Sequence, residues 1–77
     1  MPRFFFHLHE RGSVDPDEEG LAMSDLKSAV LLAVRLARKF AKANLNDGSH
    51  RGYHIEIENA ETGERTIVPF RWAMLDT

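Results

Sequence analysis

Two pairs of residues in this chain have the chemistry of a metal site. His7 and His9 stand two apart near the start, and His54 and Glu56 stand two apart in the last third. Residues two apart on a strand share a face. If the two strands were neighbours, they could bring two imidazoles and a carboxylate within reach of zinc or another divalent ion. No ligand spacing here is diagnostic, however, and histidine is also an ordinary amphipathic residue on a polar sheet face. The sequence therefore assigns no metal and no cofactor. The acidic run Asp15-Pro16-Asp17-Glu18-Glu19-Gly20 clusters oxygen ligands of the kind calcium takes. It departs from the calcium-loop pattern, Asp-x-Asp/Asn-x-Asp/Asn-Gly with a Glu six residues after the Gly. It reads as a solvated loop that can pair with basic residues elsewhere.

A third cluster is basic. Arg35, Arg38, Lys39 and Lys42 recur at helical spacing with no acid among them, an arrangement that can grip phosphates. An ordinary solvated helix face has the same look, and the interleaved Leu31 favours that reading. Covalent chemistry has less support. The chain has no cysteine, no Gly-x-Ser-x-Gly and no Walker phosphate loop. A small domain built on one helix also offers little concave volume, so the expectation is not an enzyme.

These side chains must be positioned by very little protein. The chain has 77 residues, enough for a single domain over 1–77 and no second core. A domain of this size buries about 60% of its unfolded-chain surface and is marginal in stability, so self-association is one way to gain more. Ten basic and twelve acidic residues give a net charge of −2, which argues against a dedicated nucleic-acid binder. Phe4-Phe5-Phe6 is too short, and too soon followed by His7, His9 and Glu10, to be a signal peptide. No stretch approaches the roughly 18 apolar residues of a membrane span. With no cysteines, a cytoplasmic location is expected.

Periodicity supplies the elements. From residue 3 to 9, Phe4, Phe6 and Leu8 alternate with Arg3, Phe5, His7 and His9, a half-buried strand with the first set facing the core. The Gly-, Pro-, Asp- and Ser-rich stretch from 10 to 25 reads as loop, with room for a short strand around Gly20–Met23. Ser24 suits a helix N-cap. From Asp25 to about Leu45, Leu26, Ala29, Val30, Ala33, Val34, Leu36, Ala37, Phe40 and Ala41 share one broad face. Gly48 is a candidate helix stop. Tyr53–Asn59 and Arg65–Phe70 read as a hairpin whose three-residue loop puts Gly63 in the left-handed position of a bulge. That register pairs Ile57 with Ile67 and Ile55 with Pro69, on the core face with Tyr53. Pro69 cannot donate to a ladder, so its strand is an edge. The fold expected is α+β: a small antiparallel-rich sheet of three or four strands, β-(β)-α-β-β, with one long helix packed on one face.

Read together, "PRFFFH" at 2–7, "DEEG" at 17–20, the Ala-rich helix opened by "SDL" and the closing "VPF" at 68–70 resemble a family. It is a family of short bacterial proteins beginning Met-Pro-Arg-Tyr/Phe-Phe-Phe-His, carried as a domain of unknown function. Members often show Asp-Gly soon after the first strand, where this chain reads Glu10-Arg11-Gly12. His9 stands where Arg is as frequent as His. The resemblance spans nearly the whole chain. It implies a fold class and a bacterial origin, and it transfers no catalytic residue.

In the expected register Val68 and Phe70 join Phe5 on the sheet face away from the helix, with Trp72 directly after. One helix cannot cover both faces of a sheet, so either the C-terminal tail or another subunit covers these residues. The expected function is a non-catalytic homodimeric interaction module with its interface at Phe5, Val68, Phe70 and Trp72. A further protein partner is open to it. The alternative is a small antitoxin-like regulatory protein touching nucleic acid through Arg35, Arg38, Lys39 and Lys42.

Overall fold

The fold comes from a computed structural model that describes residues 1–43 and 52–74. Its elements run β1 (Arg3–Glu10), β2 (Ser13–Asp15), β3 (Leu21–Ala22), α1 (Leu26–Ala43), β4 (His54–Asn59), β5 (Arg65–Pro69) and α2 (Arg71–Met74). The strands make one antiparallel sheet in the order β2-β1-β4-β5, with β3 also paired to β1. Since β4 occupies one side of β1, β2 and β3 share the other. The architecture is the α+β one expected, but with five strands. The addition is β2, which the loop-like composition of its segment concealed. It returns along β1 through a two-residue turn, Arg11-Gly12, where Gly12 has φ +74°. Gly48, the candidate helix stop, and the expected helix end at Leu45 lie outside the described residues.

Ser24 is not the helix cap. Asp25 Oδ1 accepts the Ser28 N–H at 2.8 Å, so Asp25 occupies the cap position and the helix starts one residue later. The favourable charge at a helix N-terminus adds to the preference for Asp25. From there Ala29, Ala33, Ala37 and Ala41, one per turn, are all buried. Their small side chains let α1 lie close on the sheet, which supplies the bulk: Phe4, Ile55, Ile57, Val68 and Phe70. Phe40, Tyr53 and Phe70 close one end of this core as a ring cluster with centroids 5.5 to 6.0 Å apart, mostly edge to face. Leu26 and Leu36 lie at the margin of the face and stay exposed.

The hairpin register differs from the expectation by one residue. Ile55 pairs with Val68 and Ile57 with Thr66, while Glu56 faces Ile67 and His54 faces Pro69. The cause is a four-residue loop, Ala60–Gly63, in place of three. The Asn59 N–H donates to the Glu64 carbonyl, and Asn59 Oδ1 accepts the N–H groups of Glu61 and Thr62. Gly63, at φ +76°, donates its N–H back to the Asn59 carbonyl. A one-residue slip turns every side chain of a strand to the other face. Val68 and Phe70 are therefore core, 0% and 1% exposed. Ile67 takes the outer face, 45% exposed. This register buries a phenylalanine and a valine where the other would bury an isoleucine and a proline, and the larger buried apolar area favours it. Val68 and Phe70 are thus withdrawn from the expected interface. Past β5, α2 packs against α1, with Ala73 buried in the core; residues 75–77 of the expected covering tail lie outside the described residues.

Candidate functional site

Strand alternation assigns the outer face. Phe5, His7 and His9 of β1 lie opposite Glu58, Glu56 and His54 of β4. These in turn lie opposite Arg65, Ile67 and Pro69 of β5. Val14 of β2 stands beside His9. The metal-type residues read from sequence, His7, His9, His54 and Glu56, do share this face. Its chemistry is different from a metal centre's. His9 and His54 stack, ring centroids 4.4 Å apart and planes within 13°, and their neighbours are engaged with one another along diagonals. His7 Nε2 lies 2.9 Å from Glu58 Oε1, and His9 Nε2 lies 3.0 Å from Glu56 Oε1. Arg65 ties the two acids together, its Nη1 donating to Glu56 Oε2 at 3.2 Å and its Nη2 standing 3.8 Å from Glu58 Oε2. Among the described residues no group of three or more His, Cys, Asp or Glu could hold a metal ion. The hydrogen bond from His9, and after it Arg65, holds the Glu56 carboxyl below the usual glutamate range, against the opposing effect of partial burial.

His7 is engaged on both sides. The Asp17 N–H donates to Nδ1 at 3.0 Å, so the neutral ring carries its proton on Nε2 and donates it to Glu58. Asp17 is itself a structural carboxylate. Its Oδ2 accepts the Phe6 N–H, and its Oδ1 accepts the N–H groups of Glu19 and Gly20, each at 3.1 Å. Burial works against its ionisation and is the largest single influence. The N–H groups of Gly20, Phe6 and Glu19, with His7 adding, together outweigh it and hold the carboxyl below the usual aspartate range. Gly20 completes the arrangement at φ +73°. A Cβ there would lie 2.9 Å from Arg3 Cγ and 3.0 Å from the Phe4 carbonyl oxygen and Phe5 Cδ1. The acidic run is thus a clamp on the edge of β1 in its middle, with Asp15, Glu18 and Glu19 exposed. The Asp-x-x-Gly spacing was its one signal in sequence.

Of the four expected interface residues, Phe5 is half-buried on the outer face, stacked on His7 at 6.0 Å, and Trp72 is 42% exposed at the start of α2. Of the basic set, Arg35, Lys39 and Lys42 are exposed along α1 and Arg38 is half-buried. Glu58 and Arg65 belong to the outer-face network but were not singled out from sequence. Their alternation with Glu56 and Ile67 would reveal them only once the register is known. A shallow cleft of about 190 Å³, lined by Gly52, Tyr53, His54, Ile67, Pro69 and Arg71, opens at the β4–β5 end. It falls below the roughly 300–1,000 Å³ of small-molecule pockets. No helix among the described residues is long and apolar enough to cross a membrane.

Comparison with protein families matches residues 3–71 to a domain of unknown function, DUF6894. The match runs from the first residue of β1 to the first of α2, and so takes in the clamp, the helix and the hairpin. A search of curated proteins returns no match, and neither does a search of solved structures.

Proposed function

Since the chain belongs to the DUF6894 family of domains of unknown function, its own surface is the guide to its role, and we propose that it is a non-catalytic homodimeric interaction module of the bacterial cytoplasm. The observation that carries this is the state of the outer-face side chains. His7, His9, Glu56, Glu58 and Arg65 are bonded to one another on the outer sheet face. A general base needs an acceptor aimed at a substrate in a cavity, whereas polar side chains already bonded to one another suit the polar rim of a contact with a macromolecule. Ile67 adds an exposed apolar side chain to that face, and Trp72 is exposed on α2; a small domain gains stability by covering such residues. Light scattering at about 100 µM tests the reading, because a dimer of micromolar affinity is substantially populated there. A monomer at that concentration refutes it.

One observation favours the second reading, a small antitoxin-like regulator on nucleic acid. Within α1 the sequence holds Lys27, Arg35, Arg38, Lys39 and Lys42 and no acid. Charge is thus segregated onto the helix in a chain whose net charge is −2. Binding to generic duplex DNA that weakens steeply with salt, and is lost in Arg35→Glu with Lys39→Glu, would promote this reading over the first.

A further inference from the structure

The outward sides of the long strands β1 and β5 are finished differently, β1 being flanked by the short strands β2 and β3. On β1, the Ala60 N–H donates to the Arg3 carbonyl. That sets the odd-numbered residues against β4 and turns the backbone groups of Phe4, Phe6, Leu8 and Glu10 the other way. Phe4 is met by β3, Leu8 and Glu10 are met by β2, and the Phe6 N–H, in the gap between those strands, is met by the Asp17 carboxylate. On β5, the Asn59 N–H donates to the Glu64 carbonyl and the Phe70 N–H donates to the Tyr53 carbonyl. By the same alternation Thr66 and Val68 face β4, and Arg65, Ile67 and Pro69 turn their backbone groups outward. No strand among the described residues pairs with that side of β5.

We infer that a second copy of this chain pairs there, β5 against β5 in antiparallel, with the two-fold axis at Ile67. The inference rests on the homodimer reading above and specifies its interface. Ile67 and the partner's Ile67 exchange their N–H and carbonyl bonds, and each Arg65 N–H donates to the carbonyl of the partner's Pro69. Proline has no N–H to give, and this register asks only for its carbonyl at that position. The exposed Ile67 side chain meets its own copy. Arg71, just past the strand, comes alongside the partner's hairpin end, where the exposed Glu61 and Glu64 complement its charge. A register centred on Thr66 would instead set Ile67 against the partner's Arg65, an apolar side chain against a guanidinium. Self-pairing through α1 would bring its five cations against their own copies, which like-charge repulsion opposes.

The chain has no cysteine, so single introduced cysteines report the geometry. Opposed residues at a hydrogen-bonded position lie about 5.5 Å apart between Cα atoms, within disulfide range. Arg65 and the partner's Arg65 would be four residues out of step, about 13 Å apart, beyond reach. The expected result is a native dimer by light scattering in which Ile67→Cys forms a disulfide-linked dimer about tenfold faster than Arg65→Cys under mild oxidation. Ile67→Lys, which sets two like charges at the axis, should keep the native circular dichroism and weaken dimerisation about tenfold or more. A native dimer in which Arg65→Cys crosslinks as fast, or in which Ile67→Lys dimerises normally, overturns the edge pairing and leaves self-association standing. A monomeric native chain overturns both.

Discussion

Replacing Asp17 by Asn keeps the volume and removes the charge on which the clamp depends. The carboxylate accepts three backbone N–H groups at 3.1 Å, from Phe6, Glu19 and Gly20. An amide has one acceptor oxygen, so either Phe6 or the Glu19–Gly20 pair would face an NH₂ donor. A hydrogen bond to a charged group contributes about 1.5–3 kcal/mol and a neutral one about 0.5–1.5. The site is half-buried, and solvent screening lowers those figures. A net loss of about 2 kcal/mol follows, or roughly 10 °C in Tm for a domain of this size. The effect should also depend on pH. The Asp17 carboxyl sits below its ordinary value of 3.8 in the folded state. Its stabilisation is therefore complete above about pH 4 and is lost as the pH falls through the lower, folded value. Glu56 is shifted in the same direction, so the native chain weakens in acid through both groups. The difference between native and Asp17→Asn isolates the first. Urea unfolding of the two proteins at pH 7 and at pH 3 should show a gap that narrows in acid. A gap under about 0.5 kcal/mol at pH 7, or one that stays constant on acidification, would refute the clamp.

Gly20→Ala should cost about 2 kcal/mol or more, since both a φ of +73° and the Phe4 carbonyl oxygen 3.0 Å away oppose a Cβ. Gly12→Ala, at φ +74° with nothing within 4 Å, should lose only about 1 kcal/mol; equal losses by urea titration would remove the steric part of the argument. Phe70→Ala should cost about 3–5 kcal/mol as a buried aromatic and leave the chain unfolded by circular dichroism, whereas Phe5→Ala should remain folded. The reverse order would restore the discarded hairpin register. Asp25→Ala should lower the thermal midpoint and helical signal while Ser24→Ala changes them less, and a larger effect at Ser24 would return the cap to it.

Much of the architecture is local and was legible in the sequence. Alternation in 3–9 marks β1 and its Phe4/Phe6/Leu8 core face, and the Ala-spaced apolar stripe marks α1 and the face it buries. Pro69 marks β5 as an edge of the chain's own sheet, because a proline has no N–H to give to a second ladder, and here its missing N–H falls at an outward position. Each of these follows from a period or a missing donor within one segment. What only the tertiary structure decided is non-local. Ile67 and Val68 are adjacent, apolar and β-branched, and neither carries a mark that says which is buried. The choice depends on whether Asn59 holds the loop at four residues and on what the helix offers across the sheet. The outer-face network has the same origin. His9 stacks on His54 because β1 lies beside β4 in that register, although 45 positions of chain separate them. Asp17 reads as one acid in a solvated run until the gap between β2 and β3 leaves the Phe6 N–H for it to accept. Alternation within a strand is set by its own backbone. Strand order and register are set by the burial and hydrogen bonding of every element together, and these put Val68 and Phe70 under the helix and left Ile67 at the open edge.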